Sequence, residues 1–186
     1  MRLILGGHVG GGQLVDPATA APLGRYGAIK NTGRSTREPA MIHVVNKGKT
    51  GEREVADTMN YCIFLAMQTL GYPREECLQG MATIQRNQIQ TAIGGSDLLN
   101  CYGLSIEVKR QEILSVNTWW RQCETSAKRD GCVPVLVYRQ NKKPWRVRTY
   151  FYLPLPEGHQ MQVTGEIDWE TFKTWFINWV KASLQK

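Results

Sequence analysis

The sequence predicts a mixed α/β domain in which a sheet of about five strands is flanked by helices. Three observations support this fold class. Residues 104–111 alternate between apolar and polar side chains, residues 133–138 form an almost continuous apolar run, and residues 51–70 carry apolar residues at helical spacing. These patterns indicate a strand with one buried face, a strand buried on both faces and an amphipathic helix. The predicted order is helix, three strands, helix, two strands and a terminal helix.

The first part of the chain shows almost no helical or strand periodicity. Residues 1–40 hold many of the Gly and Pro residues and several basic ones, so we predict an extended N-terminal arm. This arm either lies along a nucleic-acid backbone or is a simple tail. Residues 41–186 are predicted to form a single domain. Its first apolar stretch, Met41 to Val45, is short enough to be a strand.

The first helix is predicted from residue 50 or 51 to about residue 70, where a Gly and a Pro end the apolar pattern. Glu52 lies on the backward extension of the apolar face, whereas Glu54 is about 200° away and is expected to face water. A carboxylate that points to the core must be paired, metal-bound or hydrogen-bonded. Glu52 is therefore a candidate site residue, with a capping role in the first helical turn as the alternative.

Two acids are predicted to meet on neighbouring strands. Met81 to Thr91 is predicted to form a strand that leads into a second strand containing Asp97. The turn Asn100 to Gly103 then returns the chain antiparallel. This arrangement brings Asp97 beside Glu107.

The strand after this turn carries Glu107, Lys109 and Gln111 in one row, because alternate residues of a strand point to the same face. Two neighbouring carboxylates repel each other. A hard divalent cation such as Mg²⁺ relieves that repulsion, since it prefers oxygen ligands and is usually held by one or two carboxylates plus substrate phosphates. The pattern predicts a metal site, with a solvated sheet face as the alternative.

The second half of the chain repeats the alternation of helix and strand. A helix is predicted between Ser115, its cap, and Gly131. Two strands follow, Val133 to Tyr138 and Arg146 to Leu153. Asp168 is predicted to cap a C-terminal helix, residues 168–184, whose broad aromatic face either covers the sheet or pairs with a second subunit.

Composition narrows the class of protein. The net charge of +7 favours a polyanionic partner, nucleic acid first. Seven basic residues lie close together in the sequence and would contact phosphates, unless they form only a solvated basic face. They are Lys128, Arg129, Arg139, Lys142, Lys143, Arg146 and Arg148.

Other features argue against secretion and against a membrane. The five cysteines form no C-x-x-C pair, so buried free thiols are expected rather than disulfides or a zinc cluster. The sequence has neither a membrane-spanning apolar run nor a signal-peptide core. We therefore predict a soluble cytoplasmic protein.

The order of elements and acids resembles the core of the PD-(D/E)xK nuclease superfamily, and within it the archaeal-type and phage-encoded Holliday junction resolvases. Their K-G-x-x-x-E-R-E segment is matched at residues 47–54, their G-x-D lead at residues 95–97 and their I-E-x-K strand at residues 106–109. The phage branch also shows R-Q-E, W-W-R-Q and Y-R-Q-N-x-x-P-W, which are matched at residues 110–112, 119–122 and 138–145. The resemblance covers residues 47–150. Ser96 stands where the family often has proline.

This resemblance implies a restriction-endonuclease-like αβββαβ core at residues 47–153, with the C-terminal aromatic helix added. It implies that Asp97, Glu107 and the Val108 carbonyl bind Mg²⁺, or Mn²⁺ in its place, with Glu52 completing the site directly or through water. Lys109 would orient or deprotonate the attacking water and offset charge on the phosphate, and Gln111 would support the metal water or a phosphate. The expected DNA contacts come from Lys47, Lys49, Arg53, Arg86, Arg110, Arg139, Lys142, Lys143 and Arg146.

A junction resolvase makes two symmetric nicks, so the resemblance further implies a homodimer acting on four-way DNA junctions. Trp119, Trp120 and the C-terminal helix are the candidates for its interface. Two other functions are open at this point. One is a nuclease of the same fold acting on other branched or nicked DNA, and the other is a non-catalytic DNA-binding module.

Overall fold

The computed structural model describes residues 38–88 and 95–186, with side chains from residue 48 onward. The predictions for the arm up to residue 37, for residues 89–94 and for the Lys47 side chain lie outside the described residues. The helices are α1 (Glu38–Thr69), α2 (Arg74–Gly80), α3 (Val116–Asp130) and α4 (Trp169–Leu184). The strands are β1 (Gln85–Arg86), β2 (Leu98–Leu99), β3 (Leu104–Arg110), β4 (Val133–Arg139), β5 (Arg146–Pro154) and β6 (Gln160–Asp168).

Helix α1 is longer than the sequence predicted. It begins at Glu38, so the stretch Met41 to Val45 is helical and the prediction of a strand there is wrong. A five-residue apolar run fits either a strand or one helical turn, and periodicity alone does not separate the two. The C-terminal end is as predicted, because Gly71 has a φ of +84° that a helix does not continue.

The main sheet contains four strands among the described residues, in the order β3-β4-β5-β6. β3 and β4 are parallel, whereas β4-β5 and β5-β6 are antiparallel, so the sheet is mixed. The prediction of about five strands in one sheet is therefore wrong in detail. β1 and β2 form a separate two-stranded ladder in which Gln85 pairs with Leu99 and Arg86 with Leu98.

Two elements, helix α2 and strand β6, were not predicted. In the described residues, the strand expected from Met81 to Thr91 is reduced to β1, and α2 precedes it. Glu75 and Glu76 in its first turn favour this helix, but its seven residues are too few to show a helical period. β6 is mostly polar because it is an edge strand, and its side chains are at best partly buried.

The sheet is covered by helices on its two faces. α1 packs against β3 and α4, while α3 packs against β3 and β4 on the other face. In α4, the side chains of Phe172, Phe176 and Val180 are fully buried in the main core, which supports the prediction that this helix covers the sheet. Trp119 and Trp120 are each 6% exposed and pack with Leu136 under α3. Because both side chains are buried in this core, the suggestion that they form a dimer interface is not supported.

Helix ends follow simple rules in two cases. The Asp168 carboxylate accepts a hydrogen bond from the Thr171 amide at 2.9 Å, as expected of an N-cap. Gly131 ends α3 in the left-handed conformation, with a φ of +65°. Ser115 occupies the N-cap position of α3, but its side chain makes no capping hydrogen bond.

All five cysteines are free, and four of them are buried, so the prediction of free thiols is confirmed and Cys132 is the partly exposed exception. Within residues 38–88 and 95–186, no helix has the length and apolar character required to cross a bilayer.

Candidate active site

The segment that carries Asp97 is held against the open edge of β3, opposite the edge that pairs with β4. The Asp97 amide donates to the Ile106 carbonyl at 2.8 Å. The Ser96 hydroxyl accepts a hydrogen bond from the Ile106 amide, also at 2.8 Å. A proline at this position could not make that bond, so the departure at Ser96 supplies an added contact between the two segments. The result is that Asp97 lies beside the strand that carries Glu107.

The Asp97 carboxylate is fixed by the backbone of β3. Asp97 is 4% exposed, and its Oδ2 atom accepts a 2.7 Å hydrogen bond from the Val108 amide. The amide and carbonyl of one strand residue point to the same edge of the strand. The Val108 carbonyl therefore points to the edge at which the Asp97 carboxylate lies.

Glu107 and Lys109 complete the group. The Lys109 ammonium forms an ion pair with the Glu107 carboxylate, and its Nζ atom is 4.0 Å from Asp97 Oδ2. Glu107 is buried, with 9% of its surface exposed. The structure thus brings the predicted acids and lysine together, and the alternative of a solvated sheet face does not apply to Asp97 and Glu107.

The environment changes the protonation of both members of this pair. Burial, followed by the charge of Asp97, raises the pKa of Glu107 to about 7, although Lys109 opposes the shift. Burial alone would lower the pKa of Lys109, but the Asp97 and Glu107 carboxylates outweigh it, so the pKa of Lys109 is raised. Lys109 is therefore an ammonium at neutral pH in this state of the site, and the two acids crowd each other.

Glu52 lies near this group but has a partner of its own. Its Oε2 atom is 2.6 Å from Arg86 Nε, and both side chains are less than one-fifth exposed, at 16% and 18%. Glu52 contributes to the raised pKa of Glu107, as the smallest of the causes. Because α1 begins at Glu38, Glu52 is well inside the helix, and the alternative of a first-turn cap is excluded.

Glu54 does not simply face water as predicted. Its carboxylate accepts hydrogen bonds from Arg139 at 2.6 Å and from the Trp145 indole at 2.9 Å, and Arg139 also stacks over the Trp145 ring. A helical wheel does not predict this contact, because Glu54 is directed to a neighbouring element, the end of β4, and not to the core behind α1.

The oxygen donors at this edge fit a Mg²⁺ ion. Two buried carboxylates of like charge lie beside a backbone carbonyl, and Mg²⁺ prefers oxygen ligands while it keeps several waters. The described residues contain no group of three or more His, Cys, Asp or Glu side chains arranged to hold a metal. A cation here would therefore be held by Asp97, Glu107 and the Val108 carbonyl, and Glu52 could join only by leaving Arg86 or through water.

The predicted DNA-contacting residues are not equally available. Arg86 and Arg139 are engaged by Glu52 and Glu54, and Arg146 lies 3.6 Å from Glu166. Arg110 donates to the Asn141 side chain at 3.1 Å. The exposed members of the predicted set are Lys49, Arg53, Lys142, Lys143 and Arg146, and of these Arg146 already has an acidic partner. Gln111, the outer end of the row, is also exposed.

Asn60 is a residue that the sequence analysis missed. It is 6% exposed on the inner face of α1, and its side chain bonds both backbone groups of Ile84, at 2.9 Å and 2.8 Å. This clamp holds the start of β1 against α1 and so places Arg86 near Glu52. A polar residue between buried positions such as Met59 and Ile63 was the signal that could have revealed it.

Comparison with known proteins gives one result. The model of a family described as "Phage putative PDDEXK endonuclease" matches residues 43–170. That span includes Glu52, Asp97, Glu107 and Lys109. No curated protein and no solved structure matches the chain.

Proposed function

The chain belongs to the phage PDDEXK endonuclease family, and from that membership we propose that it is a Mg²⁺-dependent, structure-selective DNA endonuclease, with four-way junctions as its substrate. Mn²⁺ is expected to replace Mg²⁺. The net charge of +7 favours a polyanionic substrate. A phage enzyme of this kind would act on DNA in the cytoplasm of the host cell.

The observation that carries the proposal is the meeting of three charged groups at one strand edge. The carboxylates of Asp97 and Glu107 are buried, and the Lys109 ammonium contacts Glu107 and lies 4.0 Å from Asp97. Burying two like charges together is unfavourable unless they are compensated. Buried like charges of this kind are typical of functional sites rather than of structural packing.

Hydrolysis of a phosphodiester needs a nucleophile at neutral pH and stabilisation of the negative charge that develops on the phosphate. A bound Mg²⁺ would supply Lewis-acid activation of water and charge stabilisation. The protein groups have separate tasks. Asp97 and Glu107 would hold the cation together with the Val108 carbonyl, and the hydrogen bond from the Val108 amide keeps the Asp97 carboxylate in place.

We assign Lys109 chiefly to the phosphate. Its raised pKa makes it a cation at neutral pH, so it can donate hydrogen bonds to a phosphate oxygen and orient the attacking water. Removal of a proton from water requires a neutral amine, which the metal-free site disfavours. Binding of a cation at Asp97 and Glu107 would weaken their hold on the Lys109 proton, so a base role depends on that cation.

A junction resolvase is a more specific function than an endonuclease. It would also be a homodimer, because paired nicks need two active sites related by symmetry. The second candidate is the same chemistry on other branched or nicked DNA. It draws support from the internal ion pairs of Arg86, Arg139 and Arg146, since these leave few free cations to define a junction-specific surface.

Cleavage of labelled DNA tests these assignments. The full-length protein is incubated with a four-way junction, a flap and a linear duplex, with Mg²⁺ and with EDTA. Paired symmetric nicks in the junction only, with no product in EDTA, would support the resolvase. Cleavage of the flap at an equal rate would favour the second candidate.

A third outcome separates enzyme from binding module. If the wild-type protein binds DNA but cuts none of the substrates with Mg²⁺ or Mn²⁺, the nuclease proposal fails and a non-catalytic DNA-binding module replaces it. The oligomeric state, measured by light scattering with and without junction, tests the dimer independently of cleavage.

A further inference from the structure

A cavity of about 300 Å³ lies at the C-terminal end of β4 and the turn that follows this strand. Its walls combine Leu114, Tyr138 and Pro144 with three cationic residues, Arg139, Lys143 and Arg146. Among the described residues no acid lines it, although Glu166 lies 3.6 Å from Arg146. A pocket with apolar walls and cations fits a ligand that is planar and apolar at one end and anionic at the other, as a nucleotide is.

The cavity is next to the candidate active site. Tyr138 pairs with Lys109 and Arg139 with Arg110 in the parallel register of β3 and β4. Paired residues on neighbouring strands share a face and are about 5 Å apart. The Tyr138 wall of the cavity therefore stands one strand away from Lys109, so a DNA strand with one phosphate at Lys109 can reach the cavity with an adjacent nucleotide.

The cations at the cavity are not equally free for an anion. The Arg139 side chain pairs with Glu54 and stacks on Trp145, on the opposite face of the sheet from Tyr138, because neighbouring residues of a strand point to opposite faces. Arg146 shares the face of Tyr138 but lies 3.6 Å from Glu166. Among the described residues, the Lys143 ammonium takes part in no ion pair, so Lys143 is the cation that is available to a phosphate.

The loop between β3 and α3 provides a means to separate a base from its neighbours. Ile113 is 81% exposed and Leu114 is 41% exposed, and Leu114 forms part of the cavity wall. Exposed aliphatic side chains beside a nucleic-acid surface are suited to insert between base steps and to unstack them. Of the two, only Leu114 lines the cavity and has this role, and it follows Lys109 by only a few residues, at the point where the DNA strand would leave the site.

We propose that this cavity binds an unpaired nucleotide of the DNA strand, next to the phosphate that is cut. The proposal rests on the proposed nuclease function for its substrate class and adds the origin of structure selectivity. Fully paired DNA keeps its bases stacked and offers the cavity only a phosphate. Branch points, flaps and bulges offer an unpaired base as well.

The chain provides matched pairs of variants for the test. Lys143 and Leu114 line the cavity, whereas their neighbours Lys142 and Ile113 do not. The lysines are changed to Asn, because Lys142 has a φ of +60° that Asn tolerates. The aliphatic residues are changed to Glu. All four positions are exposed, so the substitutions should leave the fold intact, which thermal unfolding verifies.

Binding is measured in EDTA by fluorescence anisotropy, with two probes that differ in one feature. One is a short duplex with a single unpaired nucleotide, and the other is the same duplex fully paired. We expect the wild-type protein to prefer the unpaired probe by about fivefold or more. Lys143→Asn and Leu114→Glu should bring this ratio near one, while Lys142→Asn and Ile113→Glu should keep it.

Equal affinity of the wild-type protein for the two probes, or equal effects of Lys143→Asn and Lys142→Asn on the ratio, would overturn the proposal, as would no binding to either probe. Because the assay contains no metal, its result is independent of cleavage. A preserved preference in a protein that cuts no DNA would refute the nuclease function and leave the cavity proposal standing. Cleavage without any preference would do the reverse.

Discussion

The Val108 amide donates a 2.7 Å hydrogen bond to the carboxylate of Asp97, so the strand that carries Glu107 also positions the other acid. The distance between the two acids is therefore set by the backbone of β3 and by the short side chain of Asp97. Such positioning resists the thermal motion of long side chains and keeps both oxygens at one edge.

Asp97→Asn should remove activity without unfolding the protein. The Asn oxygen can still accept the hydrogen bond from Val108, but the negative charge for the cation is lost. We expect cleavage to fall by about 100-fold or more, with a thermal midpoint close to that of the wild type. Asp57→Asn, at an exposed position of α1, is the control for loss of one carboxylate. Unchanged cleavage by Asp97→Asn would contradict the proposed site.

Glu107→Gln should change how the stability of the metal-free protein depends on pH. The pKa of Glu107 is raised from 4.5 to about 7 in the folded protein, so folding favours the protonated acid. The charged form of Glu107 therefore lowers the free energy of unfolding. This loss is absent below pH 4.5, grows as the pH rises to 7 and is constant above it. This raised pKa corresponds to a cost of about 3 kcal/mol, which Gln removes.

The measurement for Glu107 is urea unfolding in EDTA at several pH values. The variant should gain stability over the wild type as the pH rises from 4.5 to 8, and Mg²⁺ at pH 8 should reduce that gain because it stabilises only the wild type. Glu75→Gln, an exposed carboxylate of α2, serves as the control. Parallel curves for Glu107→Gln and the wild type would show that burial does not govern this acid.

The ion pair of Glu52 and Arg86 gives a prediction about the third acid. Arg86→Met leaves the Glu52 carboxylate partly buried without its partner, and we expect a loss of about 1–3 kcal/mol in the free energy of unfolding without metal. If Glu52 then turns to the cation, Mg²⁺ should stabilise this variant more than it stabilises the wild type. Thermal unfolding with and without Mg²⁺ measures both effects.

The control for that pair is Arg129→Met, because Arg129 and Asp130 form an exposed ion pair that should matter little. A double-mutant cycle with Glu52→Gln isolates the coupling between Glu52 and Arg86. Equal gains from Mg²⁺ in Arg86→Met and in the wild type would indicate that Glu52 takes no part in metal binding.

The sequence predicted the central row of the site because its signal is local. Glu107 and Lys109 are two residues apart on one strand, and a single tight turn brings Asp97 next to them, so no long-range packing had to be known. β4 was predicted equally well, since a short, continuous apolar run is typical of a strand that is buried on both faces.

The errors have a common physical cause. Met41 to Val45 lies in α1 because neighbouring turns extend the helix, and a short apolar run does not report this. β6 is polar because it is an edge strand, so its pairing with β5 is decided by the hairpin and not by hydrophobicity. The partners of Glu54 and Glu52 are distant in sequence, at Arg139 and Arg86, and no periodicity in one helix identifies them.

Asn60 provides a test of how the fold holds the site together. Its side chain hydrogen-bonds the Ile84 amide and carbonyl. Asn60 is only 6% exposed, so bulk water does not reach these two backbone groups. Asn60→Ala leaves both backbone groups of Ile84 buried and unpaired, and we expect a loss of about 2–4 kcal/mol in the free energy of unfolding. Thr58→Ala, which removes a hydrogen bond within α1, should cost less, because the Glu54 carbonyl that it bonds remains available to the helix.

The effect of Asn60 should extend to Arg86, which follows Ile84 in the chain. Loss of the clamp lets β1 move away from α1, so the 2.6 Å ion pair between Arg86 and Glu52 should weaken. A double-mutant cycle repeated in the Asn60→Ala background would then give a smaller coupling energy for this pair. Hydrogen exchange at residues 84–86 offers a second readout, because β2 is the one strand that pairs with β1 among the described residues, so the β1 amides should lose protection. Unaltered coupling and protection would mean that α2 alone is enough to place β1.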